Sequence, residues 1–383
     1  MTFSFSTADI LFGPGSRLGM AVRASRLGRR CLLVTGARPE RLAWLAEGLT
    51  DIMDEVFTVP VGAEPETAFI AGQAREARAR GCDVVVAVGG GSVLDAGKAL
   101  AALTTNTRDI FDYLEVVGRG MPLEYPPLPL IAAPTTAGTG AEVTANAVLL
   151  CREHGVKVSL RSPDMIPRLA VVDPELTVSL PQRQTAATGL DALTQLMEAF
   201  VSHAASPLTD PLCRDGMARA ARSLRRAVAD GTDLEARSDM ALAGLFSGMA
   251  LANSRLGAVH GFAAPLGAML GASHGEICAA LLPHVMEANI AALREAGPGH
   301  PGLDRYAEVG LLLAGVREAV AGVRFVRSLC ADLGIRNLRA LGLGEAGVDD
   351  AARKAAVASS MKGNPVALDH DRLVSILRRA LEG

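Results

Sequence analysis

Short apolar runs and amphipathic segments alternate through the first 180 residues of the chain. The runs are rich in Val, Leu and Ala and end at turn-forming residues, as strands buried on both faces do. They cover residues 31–35, 55–59, 83–88, 128–133 and 169–172, and residues 39–49 and 66–80 between them have helical spacing. Strands that alternate with helices predict a parallel, doubly wound, Rossmann-like sheet.

From residue 181 onward the pattern changes to helical spacing with Ala-, Leu- and Met-rich faces. The segments are separated by Gly- and Pro-containing turns and cover residues 185–202, 211–229, 234–253, 275–292, 304–333 and 371–381. No strand is predicted in this half. We therefore predict an α/β domain in residues 1–180 and an all-α domain in residues 181–383.

Composition narrows the class of protein. The chain has 383 residues, a net charge of −3, and 49% hydrophobic residues. This balance is typical of a folded soluble protein. The chain lacks the clustered positive charge that nucleic-acid binding requires, which argues against a nucleic-acid-binding protein. No apolar run reaches membrane-spanning length, and the N-terminus does not resemble a signal peptide. The six scattered cysteines predict free thiols and a cytoplasmic location.

A glycine-rich turn follows the apolar run at residues 83–88. Gly89, Gly90, Gly91 and Ser92 stand there, and helix-forming residues continue over residues 93–102. Glycines at such a turn let the backbone approach an anion, and the helix N-terminus attracts its charge. The pattern is neither a Walker A loop nor GxGxxG, so a pyrophosphate site and a plain tight turn both fit. Asp95 lies on the first helical turns, within reach of a ribose hydroxyl.

A second loop, residues 133–144, is dense in threonine and glycine and also follows a predicted strand. Small hydroxyl side chains at the end of a sheet are typical of ligand-binding loops.

Metal-ligating residue types occur in the helical half. Asp191 and Gln195 are spaced i,i+4 and share one helix face. His260 and His274 follow on later segments. A carboxylate with two imidazoles suits Zn²⁺ or Fe²⁺ and leaves coordination positions open.

Four segments resemble the iron-containing, or group III, alcohol dehydrogenase family. GGGSVLDAGKA at residues 89–99 is similar to the family's cofactor loop, and APTTAGTGAEVTANAV at residues 133–148 is similar to its PTTAGTGSEVT segment. Residues 173–202 and 260–289 resemble the stretches that carry the metal ligands. The motifs occur in order and span nearly the whole chain.

The resemblance implies the dehydroquinate synthase-like architecture, with a dinucleotide-binding α/β domain followed by a helical metal- and substrate-binding domain. It further implies an NAD(P)-dependent alcohol dehydrogenase or aldehyde reductase, a homodimer, and a metal ion. Asp191, His260 and His274 would hold the metal and act in catalysis, with Gln195 as a weak ligand. The implied cofactor-binding residues are Gly36, Gly89, Gly90, Gly91, Ser92, Asp95, Thr135, Thr136, Thr139, Thr144 and Lys157.

Two positions depart from the family pattern. Gln195 replaces a ligand histidine, and Ala264 replaces the second histidine of an HGxxH pair. The resemblance therefore also admits a metal-free reductase of a carboxylate- or phosphonate-bearing carbonyl compound. A dehydroquinate synthase-like lyase and a non-catalytic dinucleotide-binding protein are further alternatives. The family's ribose-binding aspartate is replaced by Gly36, which predicts that NADPH is accepted at least as well as NADH.

Overall fold

The computed structural model describes residues 4–383, which divide into two compact units. The α/β unit comprises Thr7–Thr136 and Gly140–Thr177. The helical unit comprises residues 4–6, Ala137–Thr139 and Val178–Gly383.

The strands of the α/β unit are β1 (Asp9–Phe12), β2 (Arg30–Gly36), β3 (Glu55–Val61), β4 (Val84–Gly89), β5 (Leu130–Pro134), β6 (Asn146–Cys151), β7 (Val156–Arg161) and β8 (Leu169–Val172). Six of them form a parallel sheet of order β1-β8-β5-β4-β2-β3, and β6 and β7 form a separate antiparallel hairpin. Its helices are α1 (Met20–Ser25), α2 (Ala43–Thr50), α3 (Thr67–Ala79), α4 (Gly91–Thr105) and α5 (Ile110–Tyr113).

Both faces of the large sheet are buried, which explains the continuous apolar runs. Successive residues of β2 point to opposite faces: Leu32 and Val34 join the core that contains α3 and α4, whereas Cys31 and Leu33 join the core that contains α1 and α2. The predicted doubly wound parallel sheet is confirmed.

In the described part of the second unit, by contrast, all regular secondary structure is helical. Its helices are α6 (Gln182–Val201), α7 (Thr209–Ala229), α8 (Leu234–Asn253), α9 (Ala258–Leu270), α10 (His274–Ala296), α11 (Pro301–Ala314), α12 (Ala319–Asp332), α13 (Glu345–Ala356) and α14 (His370–Glu382). They enclose one hydrophobic core, in which α6 and α10 are almost entirely buried. The helix α10 is long and apolar enough to cross a membrane, but 83% of its apolar window is buried within the protein, as in a core helix.

Some predicted elements differ from the structure. Residues 304–333 form two helices, because Gly315 ends α11 in a left-handed conformation. The strand β1 and the hairpin β6-β7 had not been predicted; β1 is short and lies at the sheet edge.

Candidate metal centre and cofactor loop

The helix α6 carries three polar residues on one buried face. Asp191, Gln195 and Glu198 are spaced by four and three residues, and each is less than a tenth exposed. The Oδ1 atom of Asp191 and the Oε1 atom of Gln195 are buried without a hydrogen-bond partner. A buried oxygen without a hydrogen-bond partner costs free energy. These two atoms therefore indicate that the cluster binds a further group, such as a metal ion.

Two imidazoles approach Asp191 from other helices. His260 lies in the first turn of α9, and His274 begins α10 directly after Ser273. Their Nε2 atoms are 3.5 Å and 3.6 Å, respectively, from Asp191 Oδ1. The structure thus brings together Asp191, His260 and His274, which are separated by up to 83 positions in the chain.

Glu198 holds the ring of His260. Its Oε2 lies 2.6 Å from His260 Nδ1, and its Oε1 accepts the Val259 N–H at 2.7 Å. A carboxylate on Nδ1 fixes the tautomer and leaves Nε2 free to bind a metal, as carboxylate–histidine–metal triads do. Glu198 was not predicted as a site residue, although its spacing of seven residues from Asp191 places it on the same helix face.

Cys278 is the other residue that the sequence analysis missed. It lies one turn after His274 on α10, and its Sγ is 3.7 Å from His274 Nε2 and 3.9 Å from His260 Nε2. One donor atom from each of Asp191, His260, His274 and Cys278 lies within 4.8 Å of all the others. Carboxylate, imidazole and thiol donors in one buried cluster fit a divalent cation.

The charges of the cluster stabilise one another. Burial opposes a positive His260 ring, but Cys278, Asp191 and Glu198 raise the pKa of His260 well above its ordinary value. Attraction to Cys278 raises the pKa of His274 to about 9. Burial opposes this rise, and Asp191 adds to it. Burial opposes the ionisation of Asp191, but His274, His260 and Cys278 keep its pKa below the ordinary value.

Close contact between two helices positions the cluster. A Cβ atom on Gly275 would lie 2.3 Å from the Ala187 carbonyl oxygen of α6. Glycine at position 275 lets α10 approach α6 one turn before Asp191. Next to it, Glu276 pairs with Arg183, whose Nη2 lies 2.7 Å from Glu276 Oε1.

The glycine turn of the α/β unit is shorter than predicted. The strand β4 ends at Gly89 and α4 begins at Gly91, not at residue 93, so Gly90 alone separates them and Gly91 and Ser92 form the first helical turn. The Gly90 carbonyl accepts the N–H groups of Val93 and Leu94 at 2.9 Å and 3.1 Å. The first backbone N–H groups of an α-helix have no partner within the helix. Those at the start of α4 can therefore bind an anion.

Several predicted cofactor residues have protein partners within the α/β unit. Asp95 accepts the Val148 N–H and pairs with Lys98 at 2.9 Å, and Lys98 donates to Thr144 at 3.0 Å. Lys157 pairs with Glu64.

The remaining predicted cofactor residues lie at strand ends or in the threonine-rich loop. Gly36 ends β2, and a side chain there would meet nothing within 4 Å. Thr135 and Thr136 follow β5, and Thr136 lies against Gly90. Thr139 belongs to the helical unit.

Comparison with known proteins identifies the family. The family sequence model for iron-containing alcohol dehydrogenase matches residues 7–174. The family sequence model for the C-terminal part of the Fe-containing alcohol dehydrogenase family matches residues 185–381. The 1,3-propanediol dehydrogenase of Klebsiella pneumoniae is 34% identical over 387 aligned positions, covering 96% of each chain.

Solved structures agree with this assignment. A crystal structure of 1,3-propanediol oxidoreductase matches 99% of this chain and 100% of its own with a TM-score of 0.92 and 32% identity. A sulfoacetaldehyde reductase from Bifidobacterium kashiwanohense in complex with NAD⁺ matches 100% of this chain and 99% of its own, with a TM-score of 0.89 and 29% identity.

The chain therefore belongs to the iron-containing alcohol dehydrogenase family. It is an oxidoreductase of alcohols and aldehydes, from a class that uses a nicotinamide dinucleotide and a metal ion.

Proposed function

We propose that the chain transfers hydride reversibly between an alcohol or aldehyde carbon and the nicotinamide C4 atom, with Zn²⁺ or Fe²⁺ held by Asp191, His260 and His274. Gln195 offers a weaker amide donor beside them. One observation carries the proposal: the buried Asp191 Oδ1 lacks a hydrogen-bond partner and lies within 3.6 Å of two imidazole Nε2 atoms.

Each residue of the cluster has a distinct task. A bound metal would polarise the substrate oxygen as a Lewis acid and lower the pKa of the alcohol. Asp191 would neutralise part of the cation charge, while Glu198 holds the His260 ring. Ala264 lies one turn after His260 and has no proton to donate, so the proton would pass to solvent through water or the ribose hydroxyls of a bound cofactor.

The cofactor pyrophosphate is proposed to lie against Gly89, Gly90, Gly91 and Ser92, where the N-terminus of α4 attracts negative charge. The neighbouring Thr136 supplies a hydroxyl. Gly36 ends β2 without a carboxylate to repel a 2′-phosphate, and the exposed Arg38 and Arg41 follow it. We therefore propose that NADPH is used at least as well as NADH.

A homodimer is also proposed. The strand β1 lies at one edge of the sheet, and its outer edge has no strand partner among residues 4–383. Ile10, Leu18 and Val22 are 39%, 73% and 52% exposed on the same unit. An open strand edge and exposed apolar side chains on the same unit both favour association with a second copy. Light scattering that gives the mass of one chain would contradict the proposed homodimer.

The cytoplasmic location stays a prediction.

The proposed reaction is tested by NAD(P)H consumption with a panel of aldehydes. Asp191→Asn removes the negative charge with little change in shape, so turnover should fall at least about 100-fold. The matched control Asp215→Asn, at an exposed position of α7, should retain full turnover. Full turnover by Asp191→Asn, unaffected by chelator, would instead identify a metal-free reductase. Folded wild-type protein that oxidises no cofactor with any aldehyde would support a non-catalytic role.

A further inference from the structure

We propose that Cys278 is the fourth protein ligand of the metal, and that its sulfur makes the site selective for zinc over iron(II). The inference rests on the proposed function, because it requires a metal held by Asp191, His260 and His274. It assigns to Cys278 the coordination position that Gln195 leaves weakly filled.

Four of the distances between the donor atoms are close to those of a tetrahedral site. Zinc binds nitrogen at about 2.1 Å and sulfur at about 2.3 Å, so at the tetrahedral angle the two donors lie about 3.6 Å apart. Cys278 Sγ lies 3.7 Å and 3.9 Å from the two imidazole Nε2 atoms. A nitrogen and a carboxylate oxygen around the same metal lie about 3.4 Å apart, and the corresponding distances here are 3.5 Å and 3.6 Å.

Secondary structure places the sulfur there. His274 and Cys278 are spaced i,i+4 on α10, so their side chains lie on one helix face. That face meets α6 at Asp191, because Gly275 allows the two helices to approach closely. The unpaired Asp191 Oδ1 is a second, independent sign that a ligand belongs in this cluster.

The other cysteines are in different surroundings. Burial raises the pKa of Cys31, Cys213 and Cys330 to about 12, so these remain thiols. Among residues 4–383, Cys278 is the cysteine that belongs to a potential metal cluster. Cys330 donates to the Ala279 carbonyl oxygen instead.

A thiolate ligand has two chemical consequences. Together with the Asp191 carboxylate it supplies two negative charges, which neutralise a divalent ion in a buried site where net charge is costly. Soft sulfur donors also favour Zn²⁺ over Fe²⁺ beyond the general affinity order. Zinc can expand to five ligands, so a substrate oxygen still has a coordination position.

The test replaces the metal with Co²⁺ in chelator-treated full-length protein and records the near-ultraviolet spectrum. Wild type and the matched control Cys330→Ser should show an intense sulfur-to-cobalt charge-transfer band, and Cys278→Ser should lose it while still binding cobalt. Cys278→Ser should also lower zinc affinity by more than about tenfold, and should lower iron(II) affinity less.

Zinc-edge X-ray absorption of wild-type protein gives the same answer without a variant, should Cys278→Ser fail to fold. One sulfur at about 2.3 Å is expected beside nitrogen and oxygen neighbours. Bound cobalt without the band, a band that survives in Cys278→Ser, or bound zinc without a sulfur neighbour would overturn the assignment of Cys278. Protein that binds neither cobalt nor zinc would overturn the metal-dependent function itself.

Discussion

At the scale of single residues, the proposed metal centre depends on buried polar side chains that hold one another in place. Glu198 is the clearest case, because its two oxygens contact the His260 ring and the backbone of α9 at once. Its role is to orient a ligand.

Glu198→Gln should weaken zinc binding by about 10- to 100-fold, the usual cost of losing an outer-shell carboxylate. The amide is a poorer partner for His260 Nδ1–H and no longer stabilises a positive ring. Competition against a chromophoric chelator measures the affinity, with Glu308→Gln on α11 as the matched control. An unchanged zinc affinity in folded Glu198→Gln would show that His260 is positioned by other contacts.

Glu142 gives a prediction about pH in the α/β unit. Burial, opposed by its own backbone N–H and by Lys98, raises the pKa of Glu142 to about 7 from an ordinary 4.5. Between these values the unfolded chain releases the proton while the folded chain retains it. Stability is therefore lost as the pH rises through this window, by at most about 3 kcal/mol.

Glu142→Gln does not titrate, so its free energy of unfolding relative to wild type should be higher at about pH 8 than at about pH 4. Denaturant unfolding at both values measures the difference, with the exposed Glu153→Gln as control. A constant difference between variant and wild type would mean that Glu142 ionises normally in the folded protein.

At the scale of helices and strands, the close approach of α10 to α6 determines whether the ligands meet. Gly275→Ala would place a methyl group against the Ala187 carbonyl, and relieving this clash must move the N-terminus of α10. His274 and Cys278 would then move away from Asp191.

We expect Gly275→Ala to lose about 1–3 kcal/mol of stability and to bind zinc more weakly than wild type. Gly299→Ala is the matched control, because a Cβ atom there meets nothing within 4 Å. Melting temperature and zinc affinity measured on the same samples test the contact. Wild-type zinc affinity in Gly275→Ala would show that the ligand geometry tolerates helix displacement.

Apolar periodicity predicted the buried elements well and the exposed or short ones poorly. The central strands and the long helices of the second half have strong patterns because both faces, or one wide face, are buried. The edge strand β1 is half exposed, and the hairpin β6-β7 lies apart from the large sheet, so neither has a distinctive run. The helix α9 was missed because Pro265, Gly267 and Gly271 together give the segment the pattern of a turn.

The site was predicted only in part for a related reason. Asp191, His260 and His274 were singled out by their metal-ligating chemistry, and the family resemblance then joined them into one site, since residues so distant in sequence give no spacing signal. Glu198 and Cys278 repeat at helical intervals from Asp191 and His274, a signal that was present. This spacing identifies site residues only if α6, α9 and α10 are known to converge. That convergence depends on the packing of the whole helical core and cannot be read from local sequence.

At the scale of the whole molecule, the proposed use of NADPH can be tested at Gly36. Gly36→Asp would place a carboxylate at the end of β2, in open space where it repels a 2′-phosphate. The ratio of kcat/KM for NADPH to that for NADH should fall at least about tenfold. Gly299→Asp is the control, because it adds the same charge in open space on the helical unit. A strong wild-type preference for NADH, or an unchanged ratio in Gly36→Asp, would contradict the proposed cofactor choice.

The most direct test of the account is stepwise metal reconstitution of chelator-treated wild-type protein, with bound metal and aldehyde reduction measured on each sample. The account predicts that activity is absent without metal, rises in proportion to bound zinc or iron, and saturates at one ion per chain. Full activity in metal-free protein, or saturation of activity without stoichiometric metal binding, would contradict the assignment of Asp191, His260 and His274 as the catalytic metal centre.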